Sequence, residues 1–248
     1  MSPFLSLIGY GEAARAFVGG GLAAGAAFDV DPGKRDGIAA HNDLARALNK
    51  VDHILSLVTA DQALIAAENA AQHISAGAYY FDMNSVAPET KRAAAAVIEK
   101  AGGRYLDIAV MAPVVPKQMA VPLLVSGPHA EDGAAALRAA GFSDVRVIGS
   151  DVGRASSVKM IRSVMIKGVE ALTAEMMLAA RAADVEAEVL ASLGDGWCDK
   201  ATYNLERMET HGMRRAAEME ESAKTLLALG IDPVMTRGTV MWQRAMAA

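Results

Sequence analysis

The chain has 248 residues, of which 52% are hydrophobic and 21% charged, and its formal net charge is −5. That length allows one large domain or two modest ones with a sizeable core, and the apolar content excludes a disordered chain. The acidic balance gives no general attraction to nucleic acid or to an anionic membrane. A single cysteine, Cys198, excludes an internal disulfide and a thiolate metal cluster, and suits a reducing compartment. No basic leader precedes the first apolar run, and glycines and charges interrupt every apolar stretch well short of the ~20 residues of a membrane span. A soluble, cytoplasmic protein is expected.

In chain order, the first strand is expected at Phe4 to Ile8. It breaks at Gly9-Tyr10-Gly11 and passes through Glu12-Ala13-Ala14 into alanine-rich helical sequence. A parallel strand that turns on two glycines into a helix leaves free amides at the helix start, where a pyrophosphate binds. Ala14 stands at the last position of Gly-x-Gly-x-x-Gly/Ala, a small residue permitted there. The plainer alternative is an ordinary strand–helix turn. Ala26 to Val30 reads as a second strand. It carries Asp29 twenty residues after Gly9, the spacing of an acid that accepts from the adenosine ribose hydroxyls. Asp29 favours NAD over NADP. Lys34 and Arg35 could neutralise an extra phosphate and keep NADP as the alternative, and Asp31-Pro32-Gly33 has the composition of a turn.

Asn42 is a candidate cap for a short helix to Asn49. Asp52 to Val58 is a third strand, with Val58 and Thr59 at its carboxyl end, where ligands bind in open parallel sheets. A helix from Gln62 to His73 follows, then a fourth strand, Gly77 to Met83, ending at Asn84-Ser85. A helix from Pro88 to Ala101 and a fifth strand from Tyr105 to Val110 come next. Met111 to Met119 is a proline-bearing loop. The strand–helix alternation up to the fifth strand predicts a parallel, doubly wound α/β sheet of Rossmann type, and Val121 to Ser126, a helix from Glu131 to Ala140 and Val145 to Ile148 close this half. One periodic segment, Ala155 to Ala183, then predicts a helix of more than seven turns. Helices are expected at Val185–Leu193, Trp197–Met208, Met213–Leu229 with Gly230 as C-cap, and Thr236–Ala247. The expected organisation is a dinucleotide-binding domain, 1–152, followed by a smaller all-helical domain, 153–248.

Three groups of residues could carry chemistry. Ser156, Lys159 and Ser163 share one face at the start of the long helix, where a lysine can donate to a substrate oxygen or transfer a proton. The plain alternative is a solvated lysine paired with an acid. Asn84 and Ser85 lie on the rim of the sheet and could orient a carboxylate or the nicotinamide amide; alternatively Ser85 caps the next helix. His211, Arg214 and Arg215 sit on the C-terminal helical stretch. An arginine there could clamp a substrate carboxylate, or Glu218 could pair with either arginine. The five histidines show no metal-binding spacing, so no metal is expected. The fourteen methionines suit pliable packing or an oligomer seam.

With these residues in place the chain resembles the β-hydroxyacid dehydrogenase superfamily, which includes 3-hydroxyisobutyrate and 6-phosphogluconate dehydrogenases. The likeness is carried by Ile8-Gly9-Tyr10-Gly11-Glu12-Ala13, Leu57-Val58-Thr59, Asp82-Met83-Asn84-Ser85-Val86-Ala87-Pro88, and Gly153 to Lys159. The third of these, together with Lys167-Gly168-Val169-Glu170-Ala171-Leu172, is typical of a branch known as NAD-binding phosphogluconate-dehydrogenase-like. The resemblance implies hydride transfer between nicotinamide and a carbon bearing a hydroxyl, with Lys159 as the catalytic lysine. The family's catalytic-site asparagine falls on Ser163. Its substrate loop corresponds to Asp107 to Pro113, where Met111, Ala112 and Pro113 replace a serine and two glycines. Pro113 has no N–H and Met111 is apolar, so a compact 3-hydroxyacid held in the usual way is not expected, and a larger or more apolar molecule fits better.

These residues predict an NAD(P)-dependent oxidoreductase acting on CH–OH, with Lys159 and Ser163 catalytic. Gly9, Tyr10, Gly11, Glu12, Ala13, Asp29, Val58, Thr59, Asn84 and Ser85 would hold the cofactor. Ser85, Met111, Ala112, Pro113, Ser156, Arg214 and Arg215 would face the substrate. Imine reduction, a lyase using bound NAD, and a non-catalytic dinucleotide-binding protein are the alternatives. The expected partners are a small-molecule substrate and a second copy docked through the helical domain, with no nucleic acid and no membrane.

Overall fold

A computed structural model of the protein describes residues 5–35 and 41–248. Phe4, read as the first residue of the first strand, lies outside the described residues. These form two compact units, one ending at Lys159 and the other spanning Met160–Ala248. The expected domains part at the start of the long helix; the compact units part inside it.

The first unit is built on β1 (Leu5–Ile8), α1 (Glu12–Gly19), β2 (Ala26–Phe28), α2 (Leu44–Ala47), β3 (His53–Ser56), α3 (Ala63–Ala71), β4 (Tyr79–Asp82), α4 (Pro88–Lys100), β5 (Arg104–Val110), β6 (Leu123–Ser126), α5 (Ala130–Ala139) and β7 (Val145–Gly149). The strands form one sheet in the order β2-β1-β3-β4-β5-β6-β7. Its strands are apolar and buried almost throughout because helices cover both faces. Leu7, Leu55, Phe81 and Leu106 point to the side packed by Phe17 and Leu137, whereas Ile54, Tyr80 and Tyr105 point to the side packed by Ala67, Ala94 and Ile98. The chain leaves β1 toward β2 on one flank and returns as β3 on the other. The crevice at the carboxyl ends of β1 and β3 is therefore the topological switch point, where open α/β sheets take their ligands.

The first five strands run parallel as expected, and the sixth reverses. β6 runs antiparallel to β5, with Asp107 opposite Ser126 and Val110 opposite Leu123. The reason lies in the connection. Residues 111–122 contain only a short 3-10 turn at Gln118–Ala120, and without a crossover helix the chain can return only beside the strand it left. Asn42 is not the cap of α2: Asp43 takes that role, its carboxylate accepting from the Ala45 amide, while Asn42 accepts from Arg35.

The long helix α6 (Arg154–Ala182) is continuous, and α7 (Glu186–Ser192), α8 (Trp197–Ala228) and α9 (Val234–Ala245) follow. The two helices expected over Trp197–Leu229 are one helix of 32 residues, α8. Gly212 lies in the interval between the two expected helices, and it is there for packing. A Cβ on Gly212 would stand 2.3 Å from the Gln243 carbonyl oxygen of α9, so the missing side chain lets the two helices touch. Met219 and Ala216 of α8 meet Val240 of α9 in the small apolar core beside that contact.

Gly212→Ala is expected to lower the unfolding free energy by about 1–3 kcal/mol, the usual penalty of overpacking, although alanine is the better helix former. Urea denaturation followed by circular dichroism measures it, and a stabilised variant would contradict this account of the glycine.

Candidate active site

The site begins at the turn after β1. Gly9 has φ of +87°, its amide donates to the Phe28 carbonyl at 2.8 Å, and a Cβ there would lie 2.3 Å from the Leu57 carbonyl oxygen. Only glycine lets the turn pass so close to β3. Gly11 is different: no atom of the chain lies within 4 Å of where its Cβ would be, and no side chain caps α1, which starts at Glu12. Open space over an uncapped helix start is what a pyrophosphate requires. Ala13 is half-buried and Glu12 exposed in that first turn.

Asp29 is buried at the end of β2. Its carboxylate accepts from the Tyr10 amide at 2.7 Å and the Asp31 amide at 2.9 Å, so it pins the glycine turn while each oxygen keeps a further acceptor direction. Arg35 donates to the Asp29 carbonyl at 2.8 Å and lies over the Phe28 ring; Arg15 donates to the Tyr10 and Lys34 carbonyls. Lys34 pairs with Asp31 at 3.8 Å. A dinucleotide fits this turn, with the α1 amides for phosphate and Asp29 for a ribose.

On the neighbouring rim, Asn84 works as a latch. Its side-chain oxygen accepts from the Val58 amide at 2.7 Å and its amide nitrogen donates to Ser56 Oγ at 3.0 Å, which ties the end of β4 to the end of β3. Thr59 is exposed. Asp61 is held below the ordinary carboxylate pKa by hydrogen bonds from the Gln62 side chain and from the Thr59 side chain. Ser85 does not cap α4, whose N-cap is Ala87 followed by Pro88. Its hydroxyl instead accepts from Lys159 Nζ at 2.5 Å. Both residues belong to the first unit.

What holds that pair in place was not read from the sequence. Lys91 of α4 is fully buried, and its ammonium donates to the Asp82 carbonyl at 2.6 Å and the Asp82 carboxylate at 2.8 Å. It also lies 3.5 Å from Asp107 Oδ1. The other Asp107 oxygen accepts from the amides of Gly153 (3.1 Å) and Ser156 (3.0 Å), and from the hydroxyls of Ser156 (3.1 Å) and Ser126 (3.2 Å). Asp107 thus caps α6 from β5, with its charge at the positive end of the helix dipole. Two carboxylates face one ammonium, and these amides and hydroxyls offset the surplus. Tyr105 donates to Asp82 Oδ2 at 2.7 Å; burial first, then the charges of Asp82 and Asp107, raise its pKa well above the usual phenol value and keep it a donor. The sequence carried one signal for this network: Asp82 and Asp107 each interrupt a buried strand, and the two are paired in register. Two acids side by side in an interior require a cation.

The remaining expected residues divide. Ser156 is buried and its hydroxyl is used on Asp107 and the Gly153 carbonyl, so it anchors the helix. Met111 is half-buried, its amide donates to the Pro122 carbonyl, and its side chain packs on Ala109, Leu124 and Ala155. Ala112 is half-buried and Pro113 exposed. Within the second unit, the buried Ser163 hydroxyl accepts from Lys167 at 3.2 Å, and Lys167 pairs with Glu218 at 2.8 Å. Arg215 is not a free clamp, because Glu170 takes its guanidinium through two hydrogen bonds in a buried pair that Gln243 joins at 3.0 Å. Arg214 is exposed and 3.9 Å from Glu218. Among the described residues no cluster of His, Cys, Asp or Glu is placed to hold a metal, and no helix is long and apolar enough to cross a membrane.

Comparison with known proteins fits this geometry. Residues 26–138 match the family described as the NAD binding domain of 6-phosphogluconate dehydrogenase, and residues 180–246 match a domain of unknown function (DUF1932). The first match starts after the glycine turn, so the turn's assignment rests on its geometry. A conserved hypothetical protein of Sinorhizobium meliloti 1021 is 38% identical in sequence with a TM-score of 0.77, over 99% of this chain and 88% of that one. The conserved protein MTH1747, of unknown function, whose structure reveals similarity with 3-hydroxyacid dehydrogenases, is 30% identical with a TM-score of 0.74, over 98% and 96% of the two chains. An imine reductase from Myxococcus stipitatus in complex with NAD+ is 18% identical with a TM-score of 0.63 over 99% and 94%, a likeness of fold. Sheet topology and glycine turn define a protein of the Rossmann-type, NAD-binding kind. More narrowly, the chain belongs to the β-hydroxyacid dehydrogenase-like superfamily.

Replacing Lys91 with methionine leaves two buried carboxylates facing each other and is expected to cost about 3–5 kcal/mol of stability. Adding Asp82→Asn and Asp107→Asn to Lys91→Met should recover part of that loss, as judged by denaturant midpoints. A single variant as stable as the native chain would remove the network from its structural role.

Proposed function

We propose that the protein is an NAD(H)-dependent oxidoreductase that transfers a hydride between the nicotinamide and a carbon bearing a hydroxyl or carbonyl. The observation that supports this most is the Lys159–Ser85 hydrogen bond of 2.5 Å, at the end of β4 on the carboxyl rim of the sheet. The first-turn amides of α1 and the Asp29 carboxylate hold the dinucleotide. Val58 and Thr59 line the rim, and Asn84 acts by fixing Val58. When bound, the nicotinamide supplies or removes the hydride. The work of the chain is with the proton. In the reductive direction Lys159 Nζ delivers a proton to the carbonyl oxygen; in oxidation neutral Lys159 takes it from the hydroxyl. Because Ser85 accepts from Lys159, its own O–H is turned toward another acceptor and serves as a second donor to the substrate oxygen. Ser163, one helical turn further along α6, is the assisting hydroxyl, oriented by Lys167.

The substrate in this reading is larger or more apolar than a simple 3-hydroxyacid. Met111 brings an apolar side chain, Pro113 has no N–H to offer a carboxylate, and the Arg215 guanidinium is neutralised by Glu170. Asp29 favours NAD over NADP, since an aspartate repels a 2′-phosphate. Reduction of a C=N bond would use the same lysine and serine, and the likeness of fold to an imine reductase is the observation in its favour.

Titration with NADH and NADPH, followed by the quenching of tryptophan fluorescence, is expected to show tighter binding of NADH; a strong preference for NADPH would overturn the weight placed on Asp29. Once a screen of aryl and alkyl alcohols, aldehydes and imines has found turnover, Lys159→Ala should lower kcat on the order of 100-fold or more while NADH binding is kept. Unchanged turnover would remove Lys159 from the chemistry.

A further inference from the structure

The turn after β1 is built from residues with little stiffness of their own. Tyr10 stands between Gly9 and Gly11, and glycine on either side leaves its peptides free to rotate. Yet each part of Tyr10 is held. Its amide donates to Asp29 Oδ2 at 2.7 Å, and its carbonyl accepts from Arg15 Nε at 3.2 Å. Its buried ring lies under the Arg15 guanidinium, whose carbon is 4.8 Å from the ring centre.

The segment after Asp29 has the same weakness. Residues 30–34 are all exposed, and the 3-10 turn Pro32–Lys34 buries no side chain, so the hydrophobic core does not anchor it. Polar bonds hold it instead. Within the segment, the Asp31 carboxylate accepts from the Gly33 amide at 2.9 Å and Arg35 donates back to the Asp29 carbonyl at 2.8 Å. From α1, Arg15 Nη2 donates to the Lys34 carbonyl at 2.9 Å. Arg15 therefore closes a ring: from the Tyr10 amide to Asp29, along the chain to Lys34, and through one guanidinium back to the Tyr10 carbonyl. The planar fork matters, because two N–H groups at a fixed separation hold two carbonyls at a fixed separation.

We propose that Arg15 is a positioning residue of the dinucleotide site, joining the glycine turn to the loop after β2 so that the α1 amides and the Asp29 carboxylate meet the cofactor as one preformed surface. The proposal rests on the dinucleotide reading above and not on the hydride chemistry. Pyrophosphate and adenosine ribose are parts of one ligand, so the spacing between their two holders decides whether both are engaged at once. A site already set at that spacing loses none of its binding free energy to ordering two pliable segments. Arg15 itself is exposed, and a surface side chain of this kind adds little to the stability of the fold. Its effect is expected in affinity.

Hydrogen exchange followed by mass spectrometry, on the full chain without nucleotide, should run faster in Arg15→Ala than in the native chain over the glycine turn and residues 31–35. The rest of the sheet should exchange as before. Titration calorimetry should show NADH binding weakened about tenfold in Arg15→Ala, the worth of one hydrogen bond from a charged donor, with an unchanged denaturant midpoint. Arg15→Lys keeps the charge but not the fork, and should lose nearly as much affinity. Lysine that binds NADH as tightly as the native arginine would assign the effect to charge and overturn the proposal. Native exchange rates or native affinity in Arg15→Ala overturn it as well, and so does a midpoint that falls in step with the affinity. A native chain that binds neither NADH nor NADPH removes the dinucleotide reading and the proposal together, an outcome distinct from binding that the variants leave unchanged.

Discussion

One lysine shut inside the first unit fixes most of what the candidate site depends on. Lys91 reaches from α4 to the carbonyl and carboxylate of Asp82 at the end of β4, and lies beside Asp107 on β5. Asp82 receives the Asn84 amide, and Asn84 holds Val58 and Ser56 at the end of β3. Asp107 receives the first amides of α6. Strand ends, rim and helix start are therefore joined through three charges with no exposure to water. Such a set is not a source of stability in itself, because desolvation offsets much of the attraction. Its effect is geometric. With any partner missing, the remaining charges would be stranded, so arrangements that separate the strand ends from the helix start are strongly disfavoured. Ser85 lies just after Asp82, and Lys159 lies one turn after the helix start, which is why these two side chains meet.

The fold was legible where local chemistry decides it. Buried parallel strands are nearly continuous apolar runs, and each was found to within a few residues; the glycine turn stood out because Gly9 has to approach Leu57 without a Cβ. What escaped was set by partners distant in sequence. Val121 to Ser126 has the same composition whichever way it runs, and only the lack of a helix in the preceding loop reverses it. Gly212 reads as a helix breaker when its neighbours in sequence are considered alone. It is a packing residue because Gln243 of another helix presses on it.

For the site, spacing identified faces but not the direction in which they look. Ser156, Lys159 and Ser163 do share a side of α6, yet Ser156 is used up on Asp107 and the Ser163 hydroxyl is held by Lys167. Arg215 shares a helix face with His211, a placement that suits either a clamp on a carboxylate or a charged face paired with Glu218. The acid that neutralises it, Glu170, is forty-five positions away. Ser85 ran the other way. A serine three residues before a helix suits capping, but Pro88 starts α4 with no N–H to satisfy, and the hydroxyl is left for Lys159.

Lys159 and Ser163 stand on either side of the division between the compact units, and the helix alone sets their separation. Four residues of α-helix advance about 6 Å along the axis and return nearly to the same face, whatever surrounds them. Each half of α6 is tied to its own unit by a buried acid: Asp107 takes the amides at its start, and Glu170 takes Arg215 and Gln243 further along. A break in the helix would release Ser163 from Lys159, and a weak anchor at either acid would let α6 turn or slide within its unit. No proline interrupts Arg154 to Ala182, and buried, multiply bonded carboxylates anchor the helix, so each stretch of α6 is held against turning within its own unit.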